Sequence, residues 1–239
     1  MKGRRLLPES HRDNPLSNAE HAVCGRKFGE LNAASSGASQ PVEIAVSDQL
    51  RFLVLRLPDP MLSHACDLPT GSGWSFELKW DGFRALVSTE GAFHVRSRRG
   101  WNITTTLPEL HTLPVGLVLD GELVAWKGNE PYFPLVCRLV LNRDASVPLT
   151  FVVFDVLRHK GKDLTSHSYI ERRSLLEKLK LDGPAWTTAE TFDDGRALFT
   201  AVCELGYEGV VAKNHASTYK PGERGWVKVK NPTLLAPRS

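Results

Sequence analysis

From about residue 50 onward the chain is a succession of short apolar segments, most of them alternating with polar residues and separated by turn residues. An alternation of period two puts successive side chains on opposite faces of a strand, so the pattern commits the chain to half-buried β-structure. Residues 74–80 (WSFELKW), 84–89 and 92–97 read as strands, with Glu90-Gly91 as the hairpin turn between the last two. Residues 115–126 read as two strand segments interrupted at Asp120-Gly121, and 149–157 (LTFVVFDVL) as a buried strand. Residues 209–213 and 225–230 supply two more. Two helices are expected. Ser168, with Glu171 three residues on, forms a capping box for a helix over 169–180. A second helix over 194–205 carries the apolar stripe Leu198, Ala201, Val202 and Leu205 and ends at Gly206. Many strands, few helices and no βαβ rhythm predict an α+β fold rather than a parallel doubly wound sheet.

Residues 1–48 differ in texture. Six basic residues (Lys2, Arg4, Arg5, Arg12, Arg26, Lys27) cancel six acidic ones (Glu9, Asp13, Glu20, Glu30, Glu43, Asp48), and residues 32–40, NAASSGASQ, are of low complexity. A disordered N-terminal extension over 1–48 is expected. The whole formal charge of +3 therefore belongs to residues 49–239, which permits a nucleic-acid partner without demanding one. No stretch approaches the roughly 18 apolar residues of a spanning helix. The basic opening MKGRR has no apolar core behind it, so a cytoplasmic protein with no membrane role is expected. Cys24, Cys66, Cys137 and Cys203 are too scattered for a zinc ribbon or redox motif, and His64 with Cys66 reads as an ordinary loop.

There is no GxxxxGK[ST] loop, no GxGxxG and no GxSxG, so any nucleotide chemistry must hold phosphate with side chains. Lys79-Trp80-Asp81-Gly82-Phe83-Arg84 offers them: a lysine at a strand end, an Asp-Gly bend, then an arginine. Lys-x-Asp-Gly-x-Arg resembles the nucleophile motif of the covalent nucleotidyltransferases, which comprise ATP-dependent DNA ligases, RNA ligases and capping enzymes. The remaining motifs of that superfamily follow in order. Ser97-Arg98-Arg99-Gly100 is similar to the second, Asp120-Gly121-Glu122 to the third, and Phe154-Asp155 to the aromatic strand after it. Glu208 to Lys213 (EGVVAK) is similar to the fourth, and Trp226 to Lys230 (WVKVK) to the fifth. The wording of these motifs, with the lead-in Pro60-Met61-Leu62, resembles the adenylation domains of small bacterial ATP-dependent DNA ligases and of the ligase modules of end-joining proteins.

The resemblance implies an ATP-grasp-like nucleotidyltransferase domain of mainly antiparallel sheets with flanking helices. It implies Lys79 as the nucleophile that takes AMP from ATP. A lysine can do this only when deprotonated, and neighbouring cations disfavour its ammonium form. Lys228 and Lys230 alternate along one strand, so both point to one face, where they could supply that field and neutralise the α-phosphate. Glu122 and Glu208 each sit at a strand–turn junction and together would suit Mg²⁺ or Mn²⁺. By resemblance, Glu122 also holds the ribose, Phe154 stacks on adenine and the surroundings of Glu77 read the adenine edge. Arg84 and Arg98 hold ribose or phosphate, Arg98 and Arg99 face DNA, and Lys213 is a candidate phosphate contact. On pattern alone Phe154 reads as core, Lys213 as a solvated lysine and Asp155 as a structural residue.

The expected activity is formation of lysyl-AMP and transfer of AMP to the 5′-phosphate of nicked double-stranded DNA, by a monomer serving repair, recombination or end joining near the nucleoid. Relatives of this kind continue past the fifth motif into an OB-fold. Only nine residues follow Lys230, too few for a five-stranded barrel. The expected organisation is thus an extension at 1–48, an adenylation domain at 49–231 and a tail at 232–239. Either a protein partner supplies the missing OB-fold or the gene is truncated. RNA ligation, capping and nucleotide or DNA binding without sealing stay open as alternatives on the same scaffold.

Overall fold

The computed structural model describes residues 57–144 and 146–234; the expectations for residues 1–48 and for the tail beyond 234 lie outside the described residues. In chain order the elements are β1 (Leu62–Ala65), β2 (Trp74–Leu78), β3 (Phe83–Ser88), β4 (His94–Ser97), β5 (Leu117–Lys127), β6 (Glu130–Pro131) and α1 (Phe133–Asn142). They continue with β7 (Leu149–His159), β8 (Lys162–Asp163), α2 (Tyr169–Lys178), β9 (Trp186–Thr188), α3 (Gly195–Glu204), β10 (Gly209–Asn214) and β11 (Arg224–Lys230). A four-stranded sheet has the order β1-β11-β10-β2, and a seven-stranded sheet the order β4-β3-β5-β7-β8, with β6 on β5 and β9 on β7. All pairings are antiparallel except β1 with β11 and β7 with β9.

The period-two pattern explains how these sheets stack. On β3, β5 and β7 one set of residues (Ala85, Val87, Leu119, Leu123, Phe151, Val153) packs beneath α1 and α2. The alternate set (Leu86, Val118, Val124, Val152, Phe154) meets Met61, Tyr219 and Trp226 of the other unit of sheet structure, so one apolar cluster joins the two sheets. The far face of the four-stranded sheet (Phe76, Val210, Ala212, Val227) is covered by Leu198 and Val202 of α3. Burial of these three clusters, at about 25 cal/mol per Å² of apolar surface, is the main drive to fold.

Four local expectations are corrected. Residues 117–127 form one strand, not two segments broken at Asp120-Gly121. The Asp-Gly pair marks a register shift against β7, and a Cβ on Gly121 would lie 2.5 Å from the Phe151 ring and 2.6 Å from the Val152 carbonyl oxygen. The glycine serves close approach of strands rather than a turn. Helix α1 has no counterpart in the sequence reading, because FPLVCRLVLN looks like a continuous apolar strand with a proline in it. Pro134 sits in the first turn, where its missing N–H costs nothing, and Val136, Leu139 and Val140 face the core. Leu205, placed on the buried stripe of α3, is 71% exposed, since the helix ends at Glu204. His64 lies in β1 rather than in a loop. The capping box of α2 forms, with the Ser168 N–H donating to Glu171 at 2.8 Å. No helix among the described residues is long and apolar enough to cross a membrane.

Candidate active site

Alternation along β2 places Ser75, Glu77 and, just past the strand, Lys79 towards the inter-sheet space. Pairing across the sheet sets Glu77 beside Val211 and Val211 beside Lys228, while Gly209 lies opposite Lys230 and accepts the Lys79 N–H at 2.9 Å. The three lysines of the first and fifth motifs thus share one face at one end of the sheet. Beyond Lys79 the chain crosses to the second sheet through Asp81-Gly82. A Cβ on Gly82 would lie 2.2 Å from the Leu123 carbonyl oxygen, so only glycine lets the crossing pass this close to β5.

Glu208 closes the group. Its Oε2 is 2.5 Å from Lys79 Nζ and its Oε1 is 3.8 Å from Lys230 Nζ. Burial, followed by repulsion from Lys79, Lys230, Arg224 and Arg98, holds the Lys228 ammonium below the usual lysine pKa. Lys79 is thus one of four cations that act together on Lys228. Opposite them on β5, Glu122 pairs in register with Arg84 and Val152. Desolvation pushes its carboxyl up to about 8; Lys79 and Arg84 oppose this, while Asp120 and Glu208 add to it.

That shift has a measurable sign. Between the ordinary glutamate pKa and about 8 the unfolded chain releases a proton that the folded chain keeps, so Glu122 lowers stability progressively as pH rises through this window. In metal-free buffer, Glu122→Gln is expected to melt above wild type, with the gap widening from pH 5 to pH 8. A gap that stays constant or narrows over this range contradicts the assignment.

Behind the lysines, Arg84 donates to Asp120 through Nε (2.9 Å) and Nη2 (2.6 Å). Burial alone would weaken the Arg84 charge, but the Asp120 carboxylate reverses this and keeps the guanidinium more firmly protonated than usual. Asp120, fully buried, also accepts from Tyr219 Oη at 2.7 Å, and Tyr219 Oη accepts the Met61 N–H at 2.9 Å. The Arg84 guanidinium lies 5.3 Å from the Phe154 ring and 5.0 Å from the Trp226 ring, two rings that meet edge to face at 5.6 Å. Against the same two rings lies Lys213 Nζ, 4.6 Å from each; it pairs at 2.7 Å with the buried Glu77 carboxylate, which also accepts from Tyr169 Oη at 2.8 Å.

The chain matches the family model described as the ATP dependent DNA ligase domain over residues 60–230. The chain belongs to this family. It is similar to the multifunctional non-homologous end joining DNA repair protein LigD of Mycobacterium tuberculosis (strain H37Rv), with 38% identity over 170 residues, covering 67% of this chain and 22% of that protein. The SPbeta prophage-derived DNA ligase-like protein LigB of Bacillus subtilis is 33% identical over 180 residues, covering 72% of this chain and 67% of that protein. The structure of a mycobacterial DNA ligase D complexed with ATP and MES aligns with a TM-score of 0.64 at 36% identity, covering 72% of this chain and 60% of that one. The ligase domain described here thus spans about a fifth of the length of the LigD proteins it matches, 22% in the mycobacterial case. The expected nucleotidyltransferase architecture of mainly antiparallel sheets with flanking helices is the observed one.

Within this ligase domain, Lys79, Glu122, Glu208, Lys228 and Lys230 gather around one point although they come from four separated motifs. Arg98 stands next to them, since its N–H donates to the Arg84 carbonyl at 3.0 Å; Arg98 and Arg99 are exposed, and Arg99 lies 5.5 Å from the Trp101 ring. Two cations carry ion pairs that the sequence pattern does not show. Lys213 is 1% exposed and paired with the buried Glu77 carboxylate, so it is not a solvated lysine. Arg84 is paired with the buried Asp120 carboxylate. Sequence reasoning passed over Asp120, Tyr169, Arg172, Tyr219 and Trp226 as site-forming residues. Asp120 and Trp226 stood inside recognised motifs, whereas nothing in the local pattern marked the tyrosines or Arg172.

Proposed function

We propose that this domain is the catalytic module of an ATP-dependent DNA ligase, adenylating itself on Lys79 and passing AMP to the 5′-phosphate of a nick in duplex DNA. The observation that carries the reading is the contact of Lys79 Nζ with Glu208 inside a ring of cations. In the first step Lys79 Nζ attacks the α-phosphorus of ATP, a P–N bond forms, the bond to the β-phosphate oxygen breaks and pyrophosphate leaves. Nζ must first lose a proton, and Glu208 Oε2 at 2.5 Å is the acceptor at hand. Lys228 and Lys230 then face the phosphate oxygens, where positive charge counts most. In the second step a 5′-phosphate oxygen attacks the same phosphorus, the P–N bond breaks and Lys79 regains its proton. Attack by the adjacent 3′-hydroxyl would release AMP and close the strand.

Among the described residues no group of three or more His, Cys, Asp and Glu side chains is arranged to hold a metal alone. The donor set fits an ion held partly by substrate: the desolvated Glu122, with Glu208 near enough to repel it. Mg²⁺ or Mn²⁺ bound there would supply Lewis-acid stabilisation to phosphate oxygens. Phe154 offers its ring to adenine, Glu77 its carboxylate to the adenine edge and Glu122 its carboxyl to the ribose. Exposed Arg98 and Arg99 face the nicked DNA, a substrate that fits a cytoplasmic, nucleoid-associated role. An OB-fold working together with this domain would complete sealing.

The test is transfer. Protein pre-loaded with labelled AMP and freed of ATP is expected to pass the label to a nicked duplex bearing a 5′-phosphate. The same nick with a 5′-hydroxyl is expected to receive none. Label that stays on the protein in both cases, or transfers equally to RNA ends, contradicts the DNA assignment.

A further inference from the structure

The Glu77 carboxylate, 3% exposed, is gripped from two elements outside the recognised nucleophile motif. Tyr169, at the start of α2, donates its hydroxyl to Oε1 at 2.8 Å, and Lys213 of β10 places Nζ 2.7 Å from the same oxygen. Tyr169 is fully buried and Lys213 is 1% exposed. The Lys213 ammonium also donates to the Phe154 carbonyl at 3.0 Å and lies 4.6 Å from the centroids of both Phe154 and Trp226. One cation therefore ties the residue at the base edge, on one sheet, to the residue at the base face, on the other. Three residues along α2, Arg172 holds Asp155, the neighbour of Phe154, through Nε at 2.8 Å and Nη2 at 2.9 Å. One helix thus holds Glu77 through Tyr169 and the neighbour of Phe154 through Arg172.

We propose that Tyr169 and Lys213 are specificity-determining positioning residues that hold the Glu77 carboxylate in place to favour adenine over guanine. The inference rests on the reading of Glu77 as the adenine-edge contact. Adenine carries an amino group on the ring carbon where guanine carries a carbonyl. An ionised carboxylate accepts from the first and repels the second, and a buried partner left unpaired is what rejects the wrong base. The selectivity therefore depends on the Glu77 carboxylate being fixed in orientation, and a carboxylate this deeply buried is held in place by the cation and the donor on it. Tyr169 and Lys213 hold one oxygen from behind; neither needs to touch the nucleotide.

The test measures kcat/KM for lysyl-nucleotide formation with α-labelled ATP and with α-labelled GTP, in wild type, Tyr169→Phe, Lys213→Met and Glu77→Gln. Tyr169→Phe keeps the ring and removes only the donor. It is expected to lower the ATP-to-GTP ratio by about tenfold, the usual worth of a hydrogen bond to a charged group. Lys213→Met should lower it further; if that variant does not fold, Tyr169→Phe alone carries the test. Equal loss with both nucleotides, leaving the ratio at the wild-type value, would show a merely structural role and overturn the proposal. An unchanged ratio in Glu77→Gln would instead sink the adenine-edge reading beneath it. If wild type takes label from neither nucleotide, the lysyl-AMP reading fails. The ratio of AMP to GMP affinities by calorimetry, in wild type and Tyr169→Phe, then decides the positioning role separately.

Discussion

Lys79→Ala is expected to abolish covalent labelling by α-labelled ATP, a loss of at least about a thousandfold, while leaving the fold and nucleotide binding in place. The two halves of this expectation have different physical grounds. The chemistry needs a nitrogen nucleophile at one position, and Lys228 and Lys230, though on the same face, are placed by strand pairing beside Val211 and Gly209 rather than at the β2 end. Stability depends little on Lys79, because its pair with Glu208 is between partly exposed side chains (22% and 24%). Ion pairs of this kind contribute about 0–1 kcal/mol. ATP should still raise the melting temperature of the variant, since the aromatic and carboxylate contacts to the nucleoside are untouched. Label on Lys79→Ala would mean that another residue carries the AMP. Loss of both label and ATP-induced stabilisation would mean that Lys79 holds the pocket together rather than reacting in it.

The second large effect concerns stability. Arg172→Met is expected to cost about 3–5 kcal/mol, because it strands the Asp155 carboxylate in a site where both partners are at most 1% exposed. Arg172 also donates to the carbonyls of His167 (2.7 Å) and Ser217 (3.4 Å), so its loss leaves several buried acceptors unpaired. For a domain of this size each kcal/mol moves the melting temperature by roughly 2–4 °C, which puts the expected drop at roughly 6–20 °C. The double variant Arg172→Met with Asp155→Leu should recover much of the loss, because no buried charge then lacks a partner. A drop of less than about 3 °C in the single variant would show that water reaches the pair and that α2 does not anchor the Phe154 strand.

The strands that frame the site were legible because each buries one face, which writes a period of two into the residues. Helix α1 was not, because its apolar run and early proline look the same as a strand until the tertiary context fixes Pro134 in a first turn. Asp120-Gly121 was misread for a related reason: glycine serves turns and close strand approach alike, and only the Phe151 ring against it distinguishes them. At the site, the sequence shows which residue types the chemistry needs, and Lys79, Glu122, Glu208, Lys228 and Lys230 do converge. It does not show which cations are already committed. Arg84 on Asp120 and Lys213 on Glu77 are pairings across 36 and 136 positions of chain, fixed by the stacking of two sheets and invisible to local pattern. The same holds for Tyr219 on Asp120 and Tyr169 on Glu77.

The proposed activity requires one covalent bond, between Lys79 Nζ and the phosphorus of AMP. The full chain, incubated with ATP and Mg²⁺ and kept from acid so that a P–N bond survives, can be digested and its peptides mapped by mass spectrometry. AMP carried on the peptide at Lys79, released by pyrophosphate, is the predicted result. AMP on any other lysine, or an unmodified Lys79 peptide after full incubation, would contradict it.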